Sequence, residues 1–125
     1  MKNKIKFLDC TLRDGGYYNN WDFSQDLIQD YINAMAEIGV NYLELGFRTN
    51  DLKGFKGICA HTNDKFLNNL KKPKGIKFAV MINASEIVGK NNLKSSLKNL
   101  FPNNSKKSPV DLVRIACHLH EFEDA

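Results

Sequence analysis

The sequence predicts an α/β chain in which about four parallel strands alternate with helices, as in the N-terminal half of a (β/α)8 TIM barrel. Three observations carry this expectation. Short β-compatible runs recur between stretches of helical periodicity. The segment Phe78 to Ile82 is apolar throughout, as suits a strand of a parallel sheet covered on both faces. A length of 125 residues holds four strand-helix units, whereas a complete eight-fold barrel takes roughly 250.

Residues 5 to 10 form the first strand candidate, which ends in the polar, glycine-containing segment Thr11 to Gly16, read as a turn. Ser24 then offers a helix N-cap. Behind it Leu27, Ile28, Tyr31, Ile32, Met35 and Ile38 recur at three- and four-residue steps and make one apolar face, with Gly39 as the stop. Residues 40 to 46 give a second strand. After a polar loop, Asn63 to Leu70 reads as a short helix closed by Pro73 and Gly75. The third strand is expected over 76 to 82, a helix over Leu93 to Leu100, and a fourth strand over 110 to 117, beyond a loop rich in lysine and asparagine. A single domain over residues 1 to 125 is expected, as one portion of a larger catalytic barrel.

The composition excludes several classes of function. No apolar run approaches the roughly 20 residues a bilayer demands, so no membrane partner is expected. Met1 to Lys4 lead directly into a strand-like segment instead of an apolar leader core. Three cysteines, Cys10, Cys59 and Cys117, stand at scattered spacings and signal neither a disulfide framework nor a zinc knuckle. A cytoplasmic location with reduced thiols follows as the expectation. The net charge of +4 comes from lysines spread over residues 53 to 107, without an aromatic stacking platform among them, so a solvated face is expected and not a nucleic-acid site.

In parallel α/β folds ligands sit at the carboxyl ends of the strands. The first such segment reads Asp9-Cys10-Thr11-Leu12-Arg13-Asp14-Gly15-Gly16. A carboxylate can hold a divalent cation, a guanidinium can steady a developing enolate, and a glycine such as Gly15 lets a ligand approach the backbone. An Arg-Asp surface pair in a turn is the plain alternative.

This string resembles the D-x-T-L-R-D-G signature of the HMG-CoA lyase-like metal-dependent barrels, which include 4-hydroxy-2-oxovalerate aldolase, HMG-CoA lyase and the isopropylmalate and homocitrate synthases. Tyr42-Leu43-Glu44-Leu45-Gly46-Phe47 resembles the second strand of that group, and Val113-Arg114-Ile115-Ala116-Cys117-His118 the fourth strand of the hydroxy-oxovalerate aldolases. The resemblance implies Asp14 as a metal-binding carboxylate, Arg13 as the arginine that stabilises an enolate, and Glu44 as a hydrogen-bonding carboxylate close behind them. Arg13 and Glu44 are therefore the catalytic candidates.

Two features depart from the pattern. The hydroxy-oxovalerate aldolases carry a histidine base three residues after the metal-binding aspartate, where this chain has Tyr17. With an ordinary pKa of about 10, a tyrosine does not replace that base at neutral pH without strong perturbation. The group also completes its metal site with a His-x-His pair from the seventh strand. His118-Leu119-His120 has that spacing but follows the fourth strand, so His118 is expected to face substrate more than metal. Arg48, directly after strand two, is a candidate for a substrate anion or a solvated loop arginine. Arg114, within strand four, points either into the barrel toward Glu44 or outward toward a helix.

The expectation is thus a carbon-carbon lyase (aldolase) as the full-length protein, with residues 1 to 125 alone inactive, acting on a small 2-oxo or acyl-type acid. Its divalent cation would be manganese or magnesium, with zinc or cobalt admitted by a completed histidine pair. Tyr17, Gly15, Arg48, Arg114 and His118 are the substrate-side candidates. The alternatives are a Claisen-type acyl-CoA synthase of the same group and a non-catalytic half-barrel. Because the outer strands leave open edges, a homo-oligomer is expected.

Overall fold

A computed structural model describes residues 5–51, 53–89 and 92–125; the reading of the first four residues lies outside them. The elements run β1 (Leu8–Asp9), α1 (Thr11–Gly15), α2 (Gln25–Glu37), β2 (Tyr42–Phe47), α3 (Asp64–Asn69), β3 (Lys77–Asn83), α4 (Leu93–Leu100) and β4 (Leu112–Ala116). The four strands form one parallel sheet in the order β1-β2-β3-β4. This is the α/β half-barrel that the sequence pattern predicts.

Side chains cap the helices, at Ser24 as predicted and also at Asn63. The Ser24 hydroxyl accepts the Leu27 N–H at 3.2 Å, and Asn63 accepts from Phe66 at 2.9 Å. Each satisfies a backbone donor that the first helical turn would otherwise leave unpaired. At the other end of α2, Gly39 takes φ +81°, a conformation costly for residues with a Cβ.

The first strand is shorter than expected, and the segment behind it is helical. The Asp9 carboxylate accepts the Thr11 N–H at 2.9 Å, and the Asp14 N–H reaches the Cys10 carbonyl at 2.9 Å. These bonds wind Thr11–Gly15 into a helical turn that buries Leu12 and presents Arg13 and Asp14 at the rim. Two consecutive glycines at the end of this segment suggested a turn; side-chain capture of the backbone overrode that local preference.

Alternation divides the sheet into two faces. On the outer face Leu43, Leu45, Phe78 and Val80 join Ile28 and Ile32 of α2 and Leu67 of α3 in the core. Ile28 and Ile32 are fully buried and contribute about 1.5–3 kcal/mol each by leaving water. The apolar stripe is narrower than the periodicity implied, because Leu27 and Ile38 remain exposed. Val113 and Ile115 of the edge strand β4 are also partly open to solvent.

The inner face is set by an irregularity in β2. Glu44 pairs with Ala79 and Gly46 with Val80, so β2 spends two residues where β3 spends one. Such a bulge re-aims the side chains beyond it. Glu44 and Phe47 thereby both face inward, while Leu45 stays in the core. Gly46 is required sterically, because a Cβ there would collide with the Cys59 carbonyl oxygen. Backbone yields less readily than a side-chain tip, so Gly46→Ala should cost about 1–3 kcal/mol. A denaturant midpoint equal to that of the unsubstituted chain would contradict this close approach.

Candidate active site

Three elements bring their charged side chains to one point on the inner face. Glu44 of β2 is 1% exposed. Its Oε1 accepts from Arg13 Nε of α1 at 2.8 Å, and from Arg114 Nη2 of β4 at 2.7 Å. Its Oε2 accepts from Arg114 Nε at 2.6 Å. A buried carboxylate needs such charge-assisted partners to offset its desolvation. The open question about Arg114 is thus decided: it points inward and also reaches Met81 Sδ at 3.4 Å.

Arg13 is fixed at several points. Its Nη1 pairs with Asp14, its guanidinium lies 5.8 Å from the centre of the Phe47 ring, and its carbonyl accepts the Trp21 indole N–H at 2.8 Å. Trp21 itself has φ +58°, a left-handed conformation unusual for a bulky residue. Its N–H to the Gly16 carbonyl at 2.9 Å and its indole bond to Arg13 hold it there. The sequence signal for this arrangement was Gly16, where a Cβ would overlap the Trp21 ring, and not Gly15, where the nearest atom is 3.9 Å away.

Burial pushes the Glu44 carboxyl up, but Arg114 and Arg13 outweigh it and hold the group below its ordinary range. A carboxyl depressed in the folded state adds stability that is fully present above its unfolded pKa and is lost as pH falls through the folded value. Asp9 behaves alike: burial raises it, while hydrogen bonds from Tyr31 and Thr11 prevail and lower it. Acid titration of stability should therefore show a decline beginning near pH 4.5 and steepening below it, and Glu44→Gln should flatten that decline. An unchanged acid limb in this variant would show that Glu44 is not held as the ion.

Asp14 is exposed, with one oxygen toward Arg13 and the other 3.2 Å from Cys10 Sγ. It lines an open depression together with Asp9, Thr11, Gly15 and Tyr17. The Tyr17 ring packs edge-on against Trp21 at 4.8 Å and Phe47 at 6.2 Å.

Two candidates lie apart from this cluster. Arg48 is buried; its Nε and Nη1 donate to the carbonyls of Thr62 and Leu100, each at 2.8 Å, and its Nη2 pairs with Asp64. It stacks over Phe101 at 5.0 Å, so it ties β2 to α3 and to the end of α4. His118 is exposed beyond β4, its ring stacked on His120 at 5.5 Å and its N–H donating to Glu121 at 2.8 Å. Among the described residues no three His, Cys, Asp or Glu side chains are grouped to hold a metal ion. No helix among them is long and apolar enough to cross a membrane.

Neither a protein-family model nor a curated protein matches the chain. Among solved structures, a match with TM-score 0.66 and 37% sequence identity is the crystal structure of the N-terminal domain of a putative aldolase from Bacteroides vulgatus. The chain is similar to that aldolase N-terminal domain. The match covers 89% of this chain and 35% of the other, so this chain spans about a third of its relative's length.

Proposed function

We propose that this chain forms the enolate-stabilising part of an aldolase-type carbon-carbon lyase acting on a small 2-oxo acid. The observation that carries the reading is Arg13, held by the buried Glu44 at the carboxyl-end rim of the sheet. Glu44 takes its Nε and Asp14 its Nη1, which leaves Nη2 for a ligand. The similarity to an aldolase domain supports the same reading.

In a retro-aldol cleavage a base removes the hydroxyl proton, the carbon-carbon bond breaks, and its electron pair becomes the enolate of the departing oxo acid. Arg13 would meet the negative charge that develops on the enolate oxygen. A donor already oriented needs no reorganisation when that charge appears. Glu44 has no free surface, so it is a positioning residue and not one that touches substrate. Arg114, 46% exposed at its side chain, would receive the substrate carboxylate. Gly15 at the end of α1 and Tyr17 just beyond it would border the substrate.

The resemblance also implies a divalent cation, which when bound would polarise the substrate carbonyl. An oxygen donor such as Asp14 suits magnesium or manganese. One exposed carboxylate falls short of the three or so ligands of a catalytic site, so Asp14 would be one contributor to it among others.

Enolisation can be tested without the full substrate. Pyruvate in deuterium oxide should exchange its methyl protons faster in the presence of the full-length protein, as followed by NMR. Exchange at the rate of buffer alone, with pyruvate shown to bind, would reject the reading.

A further inference from the structure

A cavity of about 580 Å3 opens on the same rim, between the carboxyl ends of β2 and β3. It is not the depression that holds Asp14, but Tyr17 lines both. One wall is aromatic: Tyr17, Trp21 and Phe47 pack edge-to-face, with Trp21 and Phe47 5.4 Å apart at 90°. The facing wall is polar, with Asn50 from the β2 loop and Asn83, Ser85 and Glu86 from the end of β3. The Glu86 carboxylate bonds the Thr49 hydroxyl and the Asn50 N–H, the latter at 3.1 Å, and so joins the two loops into one wall.

The charges of this cavity are balanced. Lys53 and Lys56 share its lining with Asp51 and Glu86, so it carries no excess of positive charge of the kind that favours a phosphate. Amides, hydroxyls and carboxylates opposite an aromatic surface suit a ligand that both donates and accepts hydrogen bonds while presenting apolar C–H faces. Carbon chains bearing several hydroxyls have that character.

We infer that this cavity receives the polyhydroxylated tail of the substrate, so that the oxo acid cleaved at Arg13 is a sugar acid, with its head at Arg13 and Asp14 and its tail beyond Tyr17. The inference rests on the aldolase-type reading and narrows it to a substrate class. Trp21, the chain's single tryptophan, stands in the cavity wall as a reporter.

The test compares three probes by calorimetry on the full chain: pyruvate, a six-carbon 2-oxo-3-deoxy sugar acid, and its 6-phosphate. The sugar acid should bind at least about tenfold more tightly than pyruvate and shift the Trp21 emission. Asn83→Ala combined with Ser85→Ala, with folding verified by circular dichroism, should reduce its affinity to that of pyruvate. Equal affinities for the sugar acid and pyruvate would overturn the inference and leave the aldolase-type reading standing. A tenfold preference for the 6-phosphate would overturn it in favour of a phosphate subsite. Failure of all three probes to bind would reject both.

Discussion

Arg13→Ala is expected to lower pyruvate proton exchange by about 10^2- to 10^3-fold, the loss that accompanies removal of one preorganised donor to a developing oxyanion, or about 2.7–4 kcal/mol in the barrier. The loss should fall on the rate constant more than on pyruvate affinity, because the charge that Arg13 meets arises on the way to the transition state. Arg13→Lys should recover only part of it. An ammonium can carry the charge but cannot occupy Glu44 through one nitrogen and Asp14 through another while offering a third to a ligand. Full activity in Arg13→Lys would mean that a positive charge suffices and that the geometry imposed by Glu44 is irrelevant. Substitution also exposes Glu44 to the loss of one of its two partners, so the thermal midpoint has to be followed alongside the exchange rate.

The alternation of strands and helices was legible because each element carries its own local signal. The continuous apolar run in β3, the side-chain cap at Ser24 and the stops at Gly39, Pro73 and Gly75 placed most elements within a few residues. The helical turn at Thr11–Gly15 escaped because it is created by Asp9 reaching forward to the Thr11 N–H, while its glycines argue for a turn. In the site, the first motif pointed to Arg13 and Asp14 and the second strand to Glu44, and Arg13 donates to Glu44. The inward direction of Arg114 was undecidable from alternation alone, since either face of a strand obeys period two. It depends on the β3–β4 register, in which Met81 pairs with Arg114. Arg48 was misleading for a related reason. Its position just beyond β2 suggests a ligand contact, but a residue 16 places further on, Asp64, closes over it. The polar cavity was invisible because its walls come from loops that no local pattern brings together.

Glu44→Ala should destabilise the fold by about 3 kcal/mol at neutral pH, at the lower end of the range for breaking a buried ion pair. The removed carboxylate is the shared acceptor of two guanidiniums, and the loss would leave Arg13, with 11% of its side chain exposed, next to a void and a second cation. Arg114 is half open and can take up water, which limits the penalty. Glu44→Gln preserves the shape and one acceptor oxygen, so it should cost less, about 1.5–3 kcal/mol for hydrogen bonds that lose their charge assistance. Arg114→Met should cost least, because the Glu44–Arg13 bond survives it and the methionine can lie along Met81. This order, alanine worst and Arg114→Met mildest, follows only if the carboxylate organises both arginines. Chemical denaturation of the three variants measures it. Proton exchange then separates stability from positioning: Glu44→Ala protein that is still folded should exchange pyruvate nearly as slowly as Arg13→Ala, although Arg13 is present. Retention of full exchange in folded Glu44→Ala would show that Arg13 finds its working orientation without the buried carboxylate.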